Sequence, residues 1–206
     1  MSITFLITTY NRQESCQRLV DSLQGLGRIV VVGDGCTYKI DRCEYYNQIV
    51  HRGKAGYWLT VNILFSYRGK SDYYIMLPDD FLPAKDMIPI ATYLWRVIDN
   101  PQKVCLNLYT DRIGLTCWNN ISPVDMGAVY KTGWVDMCFF CDESFFRSIG
   151  TIPEPNINRI NKPNISSGVG RYISLKLSKN LLSLYQVKES LVIPQEEHNI
   201  SQMKPI

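Results

Sequence analysis

Tyr73-Tyr74-Ile75-Met76-Leu77-Pro78-Asp79-Asp80-Phe81 decides the fold of this chain. Tyr73 to Leu77 is an apolar run of strand composition. Aspartate is disfavoured inside strands, so two in succession belong at the strand's C-terminal edge. In an open α/β sheet that edge is where ligands bind. Adjacent carboxylates repel unless a cation joins them, and a hard divalent ion with oxygen ligands is the usual solution. An ion held by one or two carboxylates is completed by phosphate oxygens, which points to a nucleotide-diphosphate ligand. The same residues also suit a solvated strand-to-helix turn with Asp as an N-cap.

The preceding chain supplies a matching framework. Ile3 to Thr8 reads as a buried strand, Thr9 to Arg12 as a polar turn, and Gln13 to Leu26 as a helix, with Cys16, Leu19, Val20 and Leu23 on one face. Ile29 to Val32 is a second strand, closed by Gly33-Asp34-Gly35. This is a βαβ unit whose strands are apolar on both faces, as parallel strands are. Ile49-Val50 reads as a short third strand, His51 to Gly56 as a loop, and Tyr57 to Tyr67 as a helix. After the Asp pair come a helix at Asp86 to Ile98 and a strand at Val104 to Tyr109. Asp111 to Gly133 reads as loop, Trp134 to Phe140 as a strand and Glu143 to Ile149 as a helix. A long loop at Thr151 to Asn164, a helix at Ser167 to Leu177, a strand at Leu181 to Val187 and a polar tail from Pro194 follow.

The length of 206 residues suits one domain with a substantial core. About 1–110 form a nucleotide-type half and about 111–206 an acceptor-side half. A net charge of +3 gives no signal for a polyanion, so no nucleic-acid partner is expected. Thirteen tyrosines and four tryptophans suit sugar or base stacking and suit core filling equally. Seven cysteines are an odd count, and Cys138-x-x-Cys141 lacks both a second ligand pair for zinc and the helix-opening context of a redox motif. Buried reduced thiols, and with them a cytoplasmic setting, are the expectation. No run has the length of a membrane span, and nothing resembles a signal peptide.

Taken in order, strand, Thr8-Thr9-Tyr10-Asn11-Arg12, helix, strand, Gly33-Asp34-Gly35, His51-Arg52-Gly53-Lys54, helix, strand and Pro78-Asp79-Asp80 resemble the GT-A glycosyltransferases, especially glycosyltransferase family 2. The resemblance covers residues 3 to 150 and extends loosely beyond. It implies a Rossmann-like, mostly parallel sheet flanked by helices. It also implies that Thr8, Tyr10 and Arg12 form the first nucleotide-binding turn, that Asp34 accepts from the base, and that Arg52, Lys54 and Gly56 approach base and phosphates. By the same resemblance Asp79 accepts from the ribose and Asp80 binds Mn2+ or Mg2+. Pro78 stands where the commoner family form has an acidic residue. Asn62 sits where the family has a helix asparagine, and no chemical task is read for it.

An inverting transfer needs a carboxylate to take the acceptor proton. The late helix, where the family usually carries it, begins Ser166-Ser167-Gly168-Val169-Gly170-Arg171 without one. Of the nearest acidic candidates, Asp136, Asp142 and Glu143, Asp136 is favoured, because a charge inside an apolar strand needs a task or a partner, and burial would raise its pKa. A buried aspartate holding a loop is the structural alternative. Asp142 and Glu143 read as caps of the next helix, Trp134 as a sugar platform or core residue, and His198 as a metal ligand or a tail residue.

The expected activity is metal-dependent transfer of a hexose such as glucose or rhamnose from a UDP-sugar to a hydroxyl of a glycan or glycoprotein. The small domain also loosely resembles capsid-glycan transferases of large algal viruses. A non-catalytic sugar-nucleotide or glycan-binding module is the rival from another class. A sugar nucleotidyltransferase is less favoured, because the turn Thr8 to Arg12 has no glycine.

Overall fold

The computed structural model describes residues 1–110, 124–135, 137–155 and 168–195. A nine-stranded sheet in the order β3-β2-β1-β4-β9-β6-β10-β8-β7 crosses the molecule. Its first part is β1 (Ile3–Thr9), β2 (Arg28–Gly33), β3 (Glu44–Asn47) and β4 (Tyr73–Pro78), all parallel. β6 (Lys103–Asn107) and β10 (Ser183–Val187) are parallel to each other, and β9 (Phe139–Cys141) runs antiparallel between β4 and β6. β8 (Val129–Thr132) and β7 (Val124–Asp125) close the far edge. Among the described residues five helices flank the sheet: α1 (Gln13–Ser22), α2 (Gly53–Ser66), α3 (Met87–Val97), α4 (Glu143–Ile149) and α5 (Val169–Lys179). The expected fold class, a mostly parallel GT-A-like α/β sheet, is the one found.

Each face of the sheet carries its own apolar layer. On one side Phe5, Ile7, Val31 and Ile75 pack with Leu19 and Val20 of α1 and Ala91 and Trp95 of α3. On the other Leu6, Val30, Val32 and Met76 pack with Val61, Leu64 and Phe65 of α2, Phe145 of α4 and Ile173 of α5. Residues alternating along β1 serve opposite layers, as a strand's period of two requires. Six free cysteines are described, and all but Cys43 are buried in these layers or at their margins.

Several elements differ from the sequence expectation. The third strand is Glu44–Asn47, whereas Ile49 is fully exposed and Val50 is 57% exposed. β3 is an outer strand paired only to β2, so its side chains need not be aliphatic, and Tyr45 and Tyr46 fill that role. α2 begins at Gly53, four residues before the expected Tyr57. The stretch read as loop before Gly133 holds β8, which pairs with β10, and β7, which pairs with β8. The strand expected over Trp134 to Phe140 is confined to Phe139–Cys141. Upstream of it, the Trp134 carbonyl accepts from Asn107 Nδ2 at 2.8 Å and the Val135 N–H donates to Ser174 Oγ at 2.8 Å, so side chains replace a strand partner. Two short strands were not expected: β5 (Phe81–Pro83) and β11 (Val192–Pro194), which pair antiparallel.

Asn62 has a structural task. Its Nδ2 donates to the Ile152 carbonyl at 2.8 Å and its Oδ1 accepts from the Ile152 N–H at 2.9 Å, tying α2 to the chain after α4. Asn62→Ala leaves both backbone groups of a buried residue without these partners. The expected cost is about 2 kcal/mol, or roughly 4–8 °C in Tm for a chain of this size. Thermal denaturation checks this; nucleotide affinity at 20 °C should be unchanged.

Candidate functional site

β1, β2 and β4 end side by side, and the turns that leave them carry the candidate site residues. Thr9 pairs in register with Gly33, and Thr8 with Pro78. The next residues on the three strands are therefore Tyr10, Asp34 and Asp79, at the C-terminal edge of a parallel sheet. Asp34, Asp79 and Asp80 are all buried, at 7%, 5% and 7% exposure.

Asp79 and Asp80 form the turn between β4 and β5. Their partner is Arg12, whose Nη1 lies 3.0 Å from Asp79 Oδ1 and 3.1 Å from Asp80 Oδ2. The Tyr10 N–H also faces Asp79 Oδ2, at 3.4 Å. Asn11 makes this arrangement possible: it adopts φ +55, in the left-handed region that asparagine tolerates better than most residues. That turn swings Arg12 back over the strand ends, where its N–H donates to Tyr38 Oη at 3.0 Å and its carbonyl accepts the first helical bond, from Cys16 N–H at 2.9 Å.

Burial pushes the Asp79 carboxyl up to about 6, against the pull of Arg12 and Thr9, and the charge of Asp80 adds to the rise. The Cys16 thiol beneath is raised by burial and by Asp79, which leaves it a neutral filler.

A second knot lies on the β2 side. Asp34 caps α2 from outside the helix: Oδ1 accepts from Arg52 N–H at 3.1 Å and Oδ2 from Gly53 N–H at 2.8 Å. Gln48 Nε2 donates to Oδ1 at 3.3 Å, and His51 Nδ1 lies 3.0 Å from Oδ2. The His51 ring, so held, stacks on the Tyr10 ring at 3.7 Å and 5°. Tyr10 thus joins the Asp34 knot through its ring to the Asp79 turn through its backbone. Gly35 is required here: at φ +69 a Cβ would lie 2.2 Å from His51 N.

Of the remaining expected residues, Thr8, Arg52 and Lys54 lie towards the same edge. Thr8 Oγ1 lies 3.5 Å from Tyr57 Oη on α2. Arg52 is the N-cap residue of α2 and lies across Gly56, where a Cβ would meet Arg52 Cβ at 2.1 Å. Lys54 is exposed on the first turn of the helix. Asp136 and His198 lie outside the described residues. Asp142 caps α4, accepting from Ser144 N–H at 2.8 Å, whereas Glu143 pairs with Arg68 at 3.0 Å and accepts from Tyr74 Oη at 3.0 Å. Half-buried Trp134 packs near α5, where Gly170 admits it: a Cβ there would be 3.3 Å from Trp134 Cζ2 and 2.9 Å from the Val135 carbonyl.

Two residues were not singled out from sequence. His51 has a local signal, since it directly precedes the basic turn. Gln195 has none. It is buried at 7% exposure and laces the C-terminal strand to the Asp pair. Its N–H donates to the Asp80 carbonyl at 2.8 Å, its Nε2 donates to the carbonyls of Ser15 at 3.0 Å and Asp79 at 3.2 Å, and its Oε1 accepts from Arg18 Nε at 2.9 Å.

Among the described residues no group of three or more His, Cys, Asp and Glu side chains could hold one. Asp79 and Asp80 supply two adjacent carboxylates, which fit an ion that brings its remaining ligands on phosphate oxygens and water.

No protein-family model matches the sequence, and no curated protein matches it. Solved structures match its fold. GalNAc-T7 with UDP, GalNAc and Mn2+ aligns at TM-score 0.62 and 13% identity, over 95% of this chain and 44% of that one. Glucosyl-3-phosphoglycerate synthase from Mycobacterium tuberculosis with Mn2+ and UDP-glucose aligns at TM-score 0.56 and 11% identity, over 97% of this chain and 73% of that one. The same enzyme with phosphoglyceric acid aligns at 0.57 and 10% identity, over 95% and 72%. The chain thus spans under half the length of GalNAc-T7. At these identities the likeness establishes the fold.

The raised carboxyl of Asp79 has a sign that can be checked. A carboxyl displaced from 3.8 to about 6 favours folding below pH 4, and that contribution is lost as pH rises through 6. The displacement corresponds to roughly 3 kcal/mol. In metal-free buffer Asp79→Asn is therefore expected to melt close to wild type at pH 4 and several degrees above it at pH 7.5. Thermal melts across that range check this; equal differences at both pH values would contradict it.

Proposed function

We propose that the chain is a nucleotide-diphosphate-sugar glycosyltransferase that uses a divalent cation. The observation that carries the reading is the gathering of Asp34, Asp79 and Asp80 with Tyr10 and Arg12 at the C-terminal ends of β1, β2 and β4. The fold around them is shared with transferases crystallised with UDP and Mn2+. The preferred donor is a UDP-hexose, with glucose or rhamnose as the sugar, and the acceptor is a hydroxyl of a glycan or glycoprotein.

In this reading Tyr10 and His51 form the aromatic wall beside which the base lies. Asp34 keeps His51 stacked and caps α2, which places Arg52 and Lys54 on the phosphate side. Asp79 turns towards the ribose and Asp80 towards the metal. His198 is proposed as a further metal ligand, because the described chain ends at Gln195, whose N–H is bonded to the Asp80 carbonyl. Bound Mn2+ or Mg2+ would supply positive charge to the departing diphosphate. Lys54 adds to that stabilisation.

Asp136 is the proposed base. The chain just before it is pinned by Asn107 and Ser174. In a single displacement the acceptor oxygen bonds to the anomeric carbon as the bond to the diphosphate oxygen breaks. The hydroxyl proton passes to the Asp136 carboxylate, and the anomeric configuration inverts.

One observation favours a rival. α5, where the family usually carries its base, contains no carboxylate in Val169–Lys179. A sugar-nucleotide-binding module without turnover would fit that lack.

Incubation with UDP-, GDP- and dTDP-sugars, with Mn2+ or with chelator, separates the two. Metal-dependent release of UDP from one donor is expected. Asp80→Ala should abolish the metal dependence. Asp136→Asn should lower kcat by about 10²–10⁴-fold with donor KM little changed, as for a lost general base. Nucleotide binding without release from any donor, acceptor glycans included, would favour the binding module. Absence of binding would overturn both.

A further inference from the structure

We infer that Arg12 is the resident counter-ion of the Asp79–Asp80 pair, and that it couples entry of the divalent cation to entry of the nucleoside diphosphate. The inference rests on the nucleotide-diphosphate reading of the site and adds an order of events to it. A single nitrogen, Arg12 Nη1, is within 3.1 Å of both carboxylates. The two aspartate side chains are 7% and 10% exposed, whereas Arg12 is 30% exposed. Arg12 is therefore the most exposed member of the cluster.

The charges set the order. A divalent ion added alone would face the Arg12 guanidinium across the carboxylates that both must share, in a buried place where like charges repel. The same ion arriving with a diphosphate brings anionic oxygens that both it and the guanidinium can face. The phosphates also give Arg12 somewhere to go, since a planar guanidinium matches phosphate oxygens as well as carboxylates. The backbone suits a moving side chain. Arg12 is fixed through its main chain, by its N–H to Tyr38 Oη and its carbonyl to Cys16 N–H, so the side chain can leave without unravelling α1. Asp79 keeps the Tyr10 N–H near Oδ2 when it does.

The experiment measures Mn2+ binding by the electron paramagnetic resonance signal of free Mn2+, with and without saturating UDP. Activity is not the readout. For the unaltered protein the expected result is at least ~30-fold tighter Mn2+ binding with UDP than without, and reciprocally tighter UDP binding with Mn2+. Arg12→Gln should tighten binding of Mn2+ alone by at least ~10-fold and shrink the coupling by the same factor. Arg12→Lys, which keeps the charge, should stay near the unaltered protein.

Equal Mn2+ affinity with and without bound UDP in the unaltered protein would overturn the inference, whether or not either variant folds. So would an Arg12→Gln protein, folded by circular dichroism, that binds Mn2+ alone no better. If the unaltered protein binds no UDP at all, the nucleotide reading fails and the coupling with it. Tighter binding of Mn2+ alone by Arg12→Gln would then still establish Arg12 as the counter-ion.

Discussion

A buried pair of carboxylates facing one guanidinium organises this molecule. Asp79 and Asp80 sit at the end of β4 in a place too dry for two free negative charges, and burial, with the charge of Asp80 added, pushes the Asp79 carboxyl up to about 6 against the pull of Arg12 and Thr9. Arg12 reaches them because Asn11 takes a left-handed conformation at the end of β1. The turn is braced from below by Tyr38 and from the side by Gln195, which brings the C-terminal strand against the same two aspartates. Three segments distant in sequence thus meet at one point: the turn after β1, the turn after β4, and β11.

Asp34 could serve the proposed site without pointing into it. Two backbone N–H groups, a glutamine amide and a histidine ring surround its oxygens. A carboxylate has roughly four acceptor positions, so these partners come close to filling it. Its evident work is to cap α2 and to hold His51 flat against Tyr10. The surface left for the proposed ligand is then the aromatic pair and the basic first turn of α2. A contact from base to Asp34 itself would replace one of its present partners.

The βαβ beginning, the placement of the Asp pair at a strand edge and helix α4 were legible because each has a local cause. Apolar runs of strand length, a 3.6-residue apolar stripe, and aspartates unable to sit inside a strand all act within a few residues. What was not legible depends on partners far along the chain. Ile49-Val50 has strand composition, but the edge position went to Glu44–Asn47, whose tyrosines tolerate a half-exposed face. β8 and β11 are strands because β10 and β5 lie beside them. Gln195 lies 114 residues or more from the carbonyls of Asp79 and Phe81 that it reaches, and nothing around it in sequence announces a buried amide. Arg12 was legible as a candidate residue, but its partners were not, since the left-handed turn at Asn11 is what aims it.

A structure of the chain grown with UDP and Mn2+ tests the central claim most directly, with the anomalous signal of manganese locating the ion. The account requires the ion against Asp80, its other ligands including both phosphates. The uracil should lie beside the Tyr10–His51 pair, and Arg12 should have turned from the aspartates to phosphate. Manganese and nucleotide found elsewhere, with Arg12 still between Asp79 and Asp80, would contradict it.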